Sequence, residues 1–161
     1  MAQQDYSSSI TANITAQQAA ERISRVPDWW SGAFTGASDK VGDTFKLDWG
    51  KTFVDFVVEE SVPAKKIVWR VTNCNLDFVH DKKEWKDTRV AFDIASEGSA
   101  TRVTMTHAGL KPDVECYATC KTGWDFYILE SLQNLLWENR GFPDMRGRKE
   151  SLEEAVAQSA T

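Results

Sequence analysis

Between Pro112 and Glu138 apolar side chains return every three or four residues: Cys116, Cys120, Trp124, Ile128, Leu132 and Leu135. That spacing puts all six on one face of an α-helix, on the order of 40 Å long if it is continuous. Upstream the period changes to two. "DTFKLDW" (43–49), "TFVDFVVEE" (52–60), "KKIVWRVTN" (65–73), "EWKDTRVAFDIAS" (84–96) and "ATRVTMTH" (100–107) alternate apolar with polar residues, the pattern of half-buried strands. Gly50-Lys51, Pro63-Ala64 and Glu97-Gly98-Ser99 separate some of them by connections too short for crossover helices, so the strands pair antiparallel. A sheet with one apolar face and a long helix with one apolar stripe are the two halves of a single core.

The first hundred or so residues add detail. "YSSSITANI" (6–14) carries Tyr6, Ile10, Ala12 and Ile14 on one parity, predicting a first strand. Thr15 with Gln18 is a capping-box signature, and Ala19, Ala20 and Ile23 form the stripe of a helix that must stop near Val26, ahead of Pro27. "PDWWSG" (27–32) predicts a short helical turn that buries one or both tryptophans. Residues 74–83 read as an ordered loop. Gly123 sits inside the long helix at a cost of about 1 kcal/mol relative to alanine, which predicts a bend or a close approach to another backbone there. The expected organisation is a tail over 1–5, one domain over 6–143 and a polar tail over 144–161 in which only Leu152 and Val156 are apolar.

Strand parity also nominates the inward faces. Val90, Phe92 and Ile94 form one set; Val103, Met105 and His107 another; Ile67, Trp69 and Val71 a third. The strand over 52–60 is ambiguous, and Val54, Phe56 and Val58 are the preferred inward set because the other parity contains Asp55.

Whole function classes fall away on charge and motif. A net charge of −5 with scattered basic residues offers no footprint for nucleic acid. No apolar run approaches the roughly 20 residues of a membrane helix, and "MAQQDYSSS" lacks the regions of a signal peptide, so the expectation is a cytoplasmic protein with no membrane insertion. Three cysteines, Cys74, Cys116 and Cys120, are then expected as reduced thiols. Glycine-rich phosphate loops and nucleophile elbows are absent, and no cofactor is implied.

The segment "THAGLKPDVECYATC" (106–120) gathers His107, Asp113, Glu115, Cys116 and Cys120, and three readings compete for it. Cys116 and Cys120 share a helix face with Trp124 and Ile128, which favours small buried hydrophobes. Zinc needs four ligands, or three and a water; the two thiols could add only His107 and a poor carboxylate, at an uncommon Cys-x3-Cys spacing. A catalytic thiol would need a depressed pKa and an orienting group that the segment does not display. His80, among charges in "VHDKKEW", reads as solvated.

Six stretches carry a family resemblance: "PDWWSG", "VGDTF" (41–45), "EESVPAKKIVWRVT" (59–72), "EWKDTRVAFDI" (84–94), "TRVTMTHAGLKPDVECY" (101–117) and "GWDFYILESLQNLL" (123–136). Over roughly residues 6–143 the chain resembles the START-like, or SRPBCC, superfamily, and within it the bacterial branch named after the activator of the heat-shock-protein-90 ATPase. The resemblance implies an α+β helix-grip fold: a curved antiparallel β-sheet wrapped around a long C-terminal helix, with two short helices after the first strand. It implies an activity much less firmly, because the superfamily includes lipid and hormone carriers, polyketide cyclases and chaperone-associated domains. The eukaryotic co-chaperone has a separate N-terminal domain for which 161 residues leave no room.

An empty apolar gap of ~300 Å³ between sheet and helix would cost about 7 kcal/mol, comparable with the net stability of a domain, so either rings close it or water or a ligand fills it. The expected function is binding of a small apolar or amphipathic ligand there, by Phe56, Trp69, Phe92, Met105, His107, Cys120, Trp124 and Ile128. One alternative is a cyclase- or hydrolase-like enzyme using His107 with Asp55 or Glu115. Another is a chaperone-interacting module with an exposed apolar patch around Trp29, Trp30 or Phe142. Monomer and homodimer are both compatible with the sequence.

Overall fold

The computed structural model describes residues 4–145. Within them, one antiparallel sheet contains β1 (Tyr6–Ala12), β2 (Phe34–Gly36), β3 (Thr44–Asp48), β4 (Phe53–Val62), β5 (Lys66–Asn75), β6 (Arg89–Glu97) and β7 (Ala100–Ala108). The spatial order is β1-β7-β6-β5-β4-β3-β2, a meander from β2 to β7 that β1 extends at the far edge. Two short helices, α1 (Ala16–Ser24) and α2 (Val26–Trp29), join β1 to β2. The C-terminal helix comprises α3 (Tyr117–Phe126), a π segment (Tyr127–Leu132) and α4 (Gln133–Glu138). This is the helix-grip arrangement, with the curved sheet on one side of the core and the long helix on the other.

Local chemistry accounts for most of these elements. Thr15 Oγ1 accepts from the Gln18 amide while Gln18 Oε1 accepts from the Thr15 amide, both at 3.0 Å, so α1 starts with the reciprocal bonds of a capping box. Pro27 lies in the first turn of α2, where its missing N–H costs nothing. The inward set of β4 is Val54, Phe56 and Val58, all buried. On β5 the register skips Thr72 between the pairs Asp55–Asn73 and Phe56–Val71. That bulge bends the strand and returns Cys74 to the inner side beside Val71. Gly141 is required: a β-carbon there would collide with the Asp28 carbonyl oxygen, so only glycine lets the chain after α4 pass this close to α2.

Four expectations need correction. Residues 84–88 are a turn, not strand, so the loop between β5 and β6 runs from 76 to 88. β2 lies in a segment expected as connection; three residues are too few to show a period. The long helix begins at Tyr117, after turns over 112–116, and is not α-helical throughout. In its π segment hydrogen bonds span five residues, and Phe126 and Ser131, five apart and off the predicted stripe, are both buried. Finally, Gly123 approaches no other backbone, since a β-carbon built there meets nothing within 4 Å. Pro143–Met145, at the expected start of the tail, form a short 3₁₀ turn, and residues 146–161, with Leu152 and Val156, lie outside the described residues.

Candidate functional site

Aromatic rings fill the middle of the sheet–helix interface. Trp29 and Trp30 are buried side by side, their centroids 5.8 Å apart, and each stacks on Trp69 at 6.4 Å. Phe45, Phe56 and Phe92 meet the Trp69 ring edge-on at 5.1, 5.9 and 5.0 Å. Met105, Ile128 and Leu132 are fully enclosed around them. Here the rings close the gap that the sequence leaves open. Trp69 Nε1 is also, among the described residues, a fully buried polar atom without a hydrogen-bond partner, a cost of about 1–3 kcal/mol that this packing carries.

The open volume lies at one end of the same interface. A cavity of about 270 Å³ is bounded by Cys120, Gly123, Trp124 and Tyr127 from the C-terminal helix, by Trp30, Val54 and Trp49 from the sheet side, and by Leu76, Phe78 and Trp85 from the 76–88 loop. Thr52 and Thr119 are its remaining lining residues, so none of them is charged. Phe78 at 51% exposure and Trp49 at 38% form an open rim. Among the described residues, neither the Trp30 indole N–H nor the Tyr127 hydroxyl has a hydrogen-bond partner, although Trp30 is only 4% exposed. Burial pushes the Tyr127 phenol up to about 12, so it keeps its proton at neutral pH.

His107 stands behind the inner wall. Its Nδ1 accepts from Trp124 Nε1 at 3.0 Å, and its Nε2 lies 2.9 Å from Thr88 Oγ1, whose hydroxyl donates to the Trp85 carbonyl at 2.6 Å. An acceptor at Nδ1 fixes the neutral tautomer with the proton on Nε2. Complete burial pushes its pKa down to about 3. The histidine thus contacts two cavity tryptophans directly: Trp124 through its hydrogen bond, and the Trp85 ring edge-on at 4.5 Å. Among the described residues no carboxylate hydrogen-bonds to it. Asp55 is on the strand parity opposite Val54 and Phe56, and Glu115 is engaged by the loop. Neither of the two carboxylates nominated with His107 is thus brought to it.

The loop and the helix start are clasped by two carboxylates working in opposite directions. Glu84 of the loop accepts the amides of Glu115 and Cys116 at 2.9 and 2.8 Å, in the turn just ahead of the helix. Glu115 in turn accepts the loop amides of His80 and Asp81 at 2.8 and 3.1 Å, and those two bonds hold its carboxyl below the usual range. His80 is exposed, with its Nδ1 3.1 Å from the same carboxylate.

Of the side chains nominated from sequence, Cys120 and Trp124 line the cavity. Phe56, Trp69, Phe92, Met105 and Ile128 belong to the ring-filled centre, and His107 supports the wall from behind. Trp29 and Trp30 are buried, so they form no exposed patch. Trp85, Leu76 and Phe78 escaped sequence reasoning because the loop has no period; a lone tryptophan in the charged run "HDKKEWKD" was the available signal. Among the described residues no group of three or more His, Cys, Asp or Glu side chains could hold a metal ion.

Comparison with known proteins agrees with this architecture. The family model described as Activator of Hsp90 ATPase homolog 1-like protein matches residues 19–136. Among solved structures, the chain is similar to the Aha1 dimer from Colwellia psychrerythraea at 22% identity, with a TM-score of 0.66 over 82% of this chain and 95% of that one. DynU16, from the dynemicin biosynthetic locus, is 16% identical with a TM-score of 0.63, covering 84% of this chain and 48% of that one. The protein MLL2253 from Mesorhizobium loti is 20% identical at a TM-score of 0.61, over 81% and 96% of the two chains. Likeness at these identities is likeness of fold. No curated protein matches the chain in sequence. No helix of the described residues is long and apolar enough to cross a membrane.

Proposed function

The chain belongs to the family of Activator of Hsp90 ATPase homolog 1-like proteins, and from that premise we propose that it binds one small, uncharged, mainly apolar molecule in the cavity at the end of its C-terminal helix. The observation that carries this reading is the lining itself: indole, phenyl and aliphatic surface, no charged group, and two unpartnered donors, Trp30 Nε1–H and the Tyr127 hydroxyl. A volume of about 270 Å³ sits just below the roughly 300–1,000 Å³ typical of small-molecule pockets, so the ligand is compact. The two donors suit a ligand with one oxygen acceptor. We take residues 6–143 as one domain and the cytoplasm as its compartment, where Cys74, Cys116 and Cys120 stay reduced.

Gly123 is the place to test this. It is helical, it faces the cavity and nothing crowds a side chain there. Gly123→Leu is expected to fill the space and abolish binding of a fluorescent apolar dye, or of a copurifying small molecule seen by native mass spectrometry, with the fold kept. Gly123→Ala is expected to raise stability by up to about 1 kcal/mol, since alanine is the better helix former. A Gly123→Leu protein that binds as well as the original would overturn the reading.

A further inference from the structure

Two thiols stand where the cavity wall meets the start of the C-terminal helix. Cys116 has the angles φ −81 and ψ −3, and the Cys120 amide donates to its carbonyl at 2.8 Å, so the two residues stack one helical turn apart. Cys120 lines the cavity, and Cys116 is buried behind it. Cys116 Sγ accepts a hydrogen bond from Trp85 Nε1 at 3.3 Å.

This spacing discriminates between partners. Residues one helical turn apart have β-carbons about 5–6 Å apart, whereas a disulfide needs them at roughly 3.5–4.5 Å. A direct bond between the sulfurs would therefore pull the helix out of shape. One soft atom bonded to both spans the gap with the backbone in place. Zinc asks for at least three protein ligands, and a bare trivalent centre asks for a third thiol; among the described residues neither set exists. A centre that already carries one bond to carbon needs only two sulfurs and a space for its organic group.

We propose that Cys116 and Cys120 bind a trivalent arsenical bearing one uncharged organic substituent, with the substituent seated in the cavity; this rests on the cavity reading above. With an oxide of the type R–As=O, both thiol protons pass to the oxygen, two As–S bonds replace the bonds from arsenic to oxygen, and one water leaves. Arsenic stays trivalent, and nothing is oxidised or reduced. Cys120 faces the incoming reagent, and the Trp85 N–H already points at the second sulfur, where negative charge develops as it attacks.

The test is intact-mass measurement of the folded full chain with one equivalent of phenylarsine oxide. A single adduct is expected, heavier by the reagent less one water and removed by a competing dithiol. Cys116→Ser and Cys120→Ser, checked for fold by circular dichroism and repeated as alanine variants, are each expected to lower its occupancy at least about tenfold. Cys74→Ser is expected to leave it unchanged. Gly123→Leu, which keeps both thiols and fills the space, is expected to weaken it about tenfold. No adduct on the folded protein, or one that survives either single serine variant, overturns the dithiol site. Apolar-dye binding that persists in that case shows that the cavity reading stands without it. An adduct indifferent to Gly123→Leu overturns the seating of the organic group, and dye binding equally indifferent to that substitution removes the cavity reading itself.

Discussion

His107 shows how much one buried side chain can decide. It is neutral in the folded protein because burial disfavours its charge, and its two nitrogens hold Trp124 and Thr88 in place. In the unfolded chain the same imidazole titrates near 6.5, while in the folded chain it resists protonation down to about 3. Between those values the unfolded state binds the extra proton, so the histidine's contribution is complete above pH 6.5 and is lost as pH falls toward 3. The slope it adds is at most about 1.4 kcal/mol per pH unit. Urea unfolding from pH 7 to pH 4 is expected to give a steeper loss for the natural protein than for His107→Asn. The variant should be less stable at pH 7, because the Trp124 and Thr88 contacts are disturbed. Parallel curves for the two proteins would count against a neutral buried histidine. Its inward position was legible from the alternation of Val103, Met105 and His107. Its contacts with Thr88 and Trp85 were not, because those residues belong to a stretch that alternation wrongly extended into a strand.

Among the elements, the 76–88 loop brings three side chains to the cavity and announced itself least. Strand parity and the helical stripe predict the buried faces of β4 to β7 and of the C-terminal helix because those faces repeat. The loop follows no period, so nothing in spacing could bring Leu76, Phe78 and Trp85 to the cavity. The π segment is invisible for a related reason: Ile128 and Leu132 satisfy an α-helical stripe equally well, and only the burial of both Phe126 and Ser131 betrays the wider turn. What holds the loop is the pair of opposed carboxylates. Glu84→Gln keeps the shape but removes the charge from the two amide bonds at the helix entrance. It is expected to cost on the order of 1 kcal/mol, the usual net scale for weakened hydrogen bonds. Hydrogen exchange should rise at Glu115 and Cys116 and across the loop, while β6 and β7 stay protected. Unchanged exchange in the loop would mean that the clasp does not govern it.

At the scale of the whole molecule the question is which edges remain open. β2 is a short edge of three residues. β1, at the other edge, is tied to the C-terminal helix along its length: the Tyr6 hydroxyl donates to Asp125 at 2.7 Å, and Gln133 Nε2 and Trp137 Nε1 both donate to the Thr11 carbonyl, at 3.0 and 3.1 Å. Of the β1 backbone these bonds engage the Thr11 carbonyl, at one end of the edge that a second chain would extend. Any self-association is thus expected to use side-chain surfaces, with β1 amide exchange unchanged between dilute and concentrated protein as mass is followed by light scattering. Added β1 protection on concentration would refute this. Sequence carried the layered plan this far but not the position of the hollow. Which volumes are filled depends on how Trp29, Trp30 and Trp69 stack across the core, and pattern does not encode that.

The reciprocal clasp ties admission of cargo to fraying. The bonds that hold the 76–88 wall of the hollow end on the turn just ahead of the last helix, so that wall cannot swing out without breaking them. Warming, or any chemical weakening of the helix entrance, should therefore quicken the exchange of whatever is held inside by the same factor that it loosens Glu115 and Cys116.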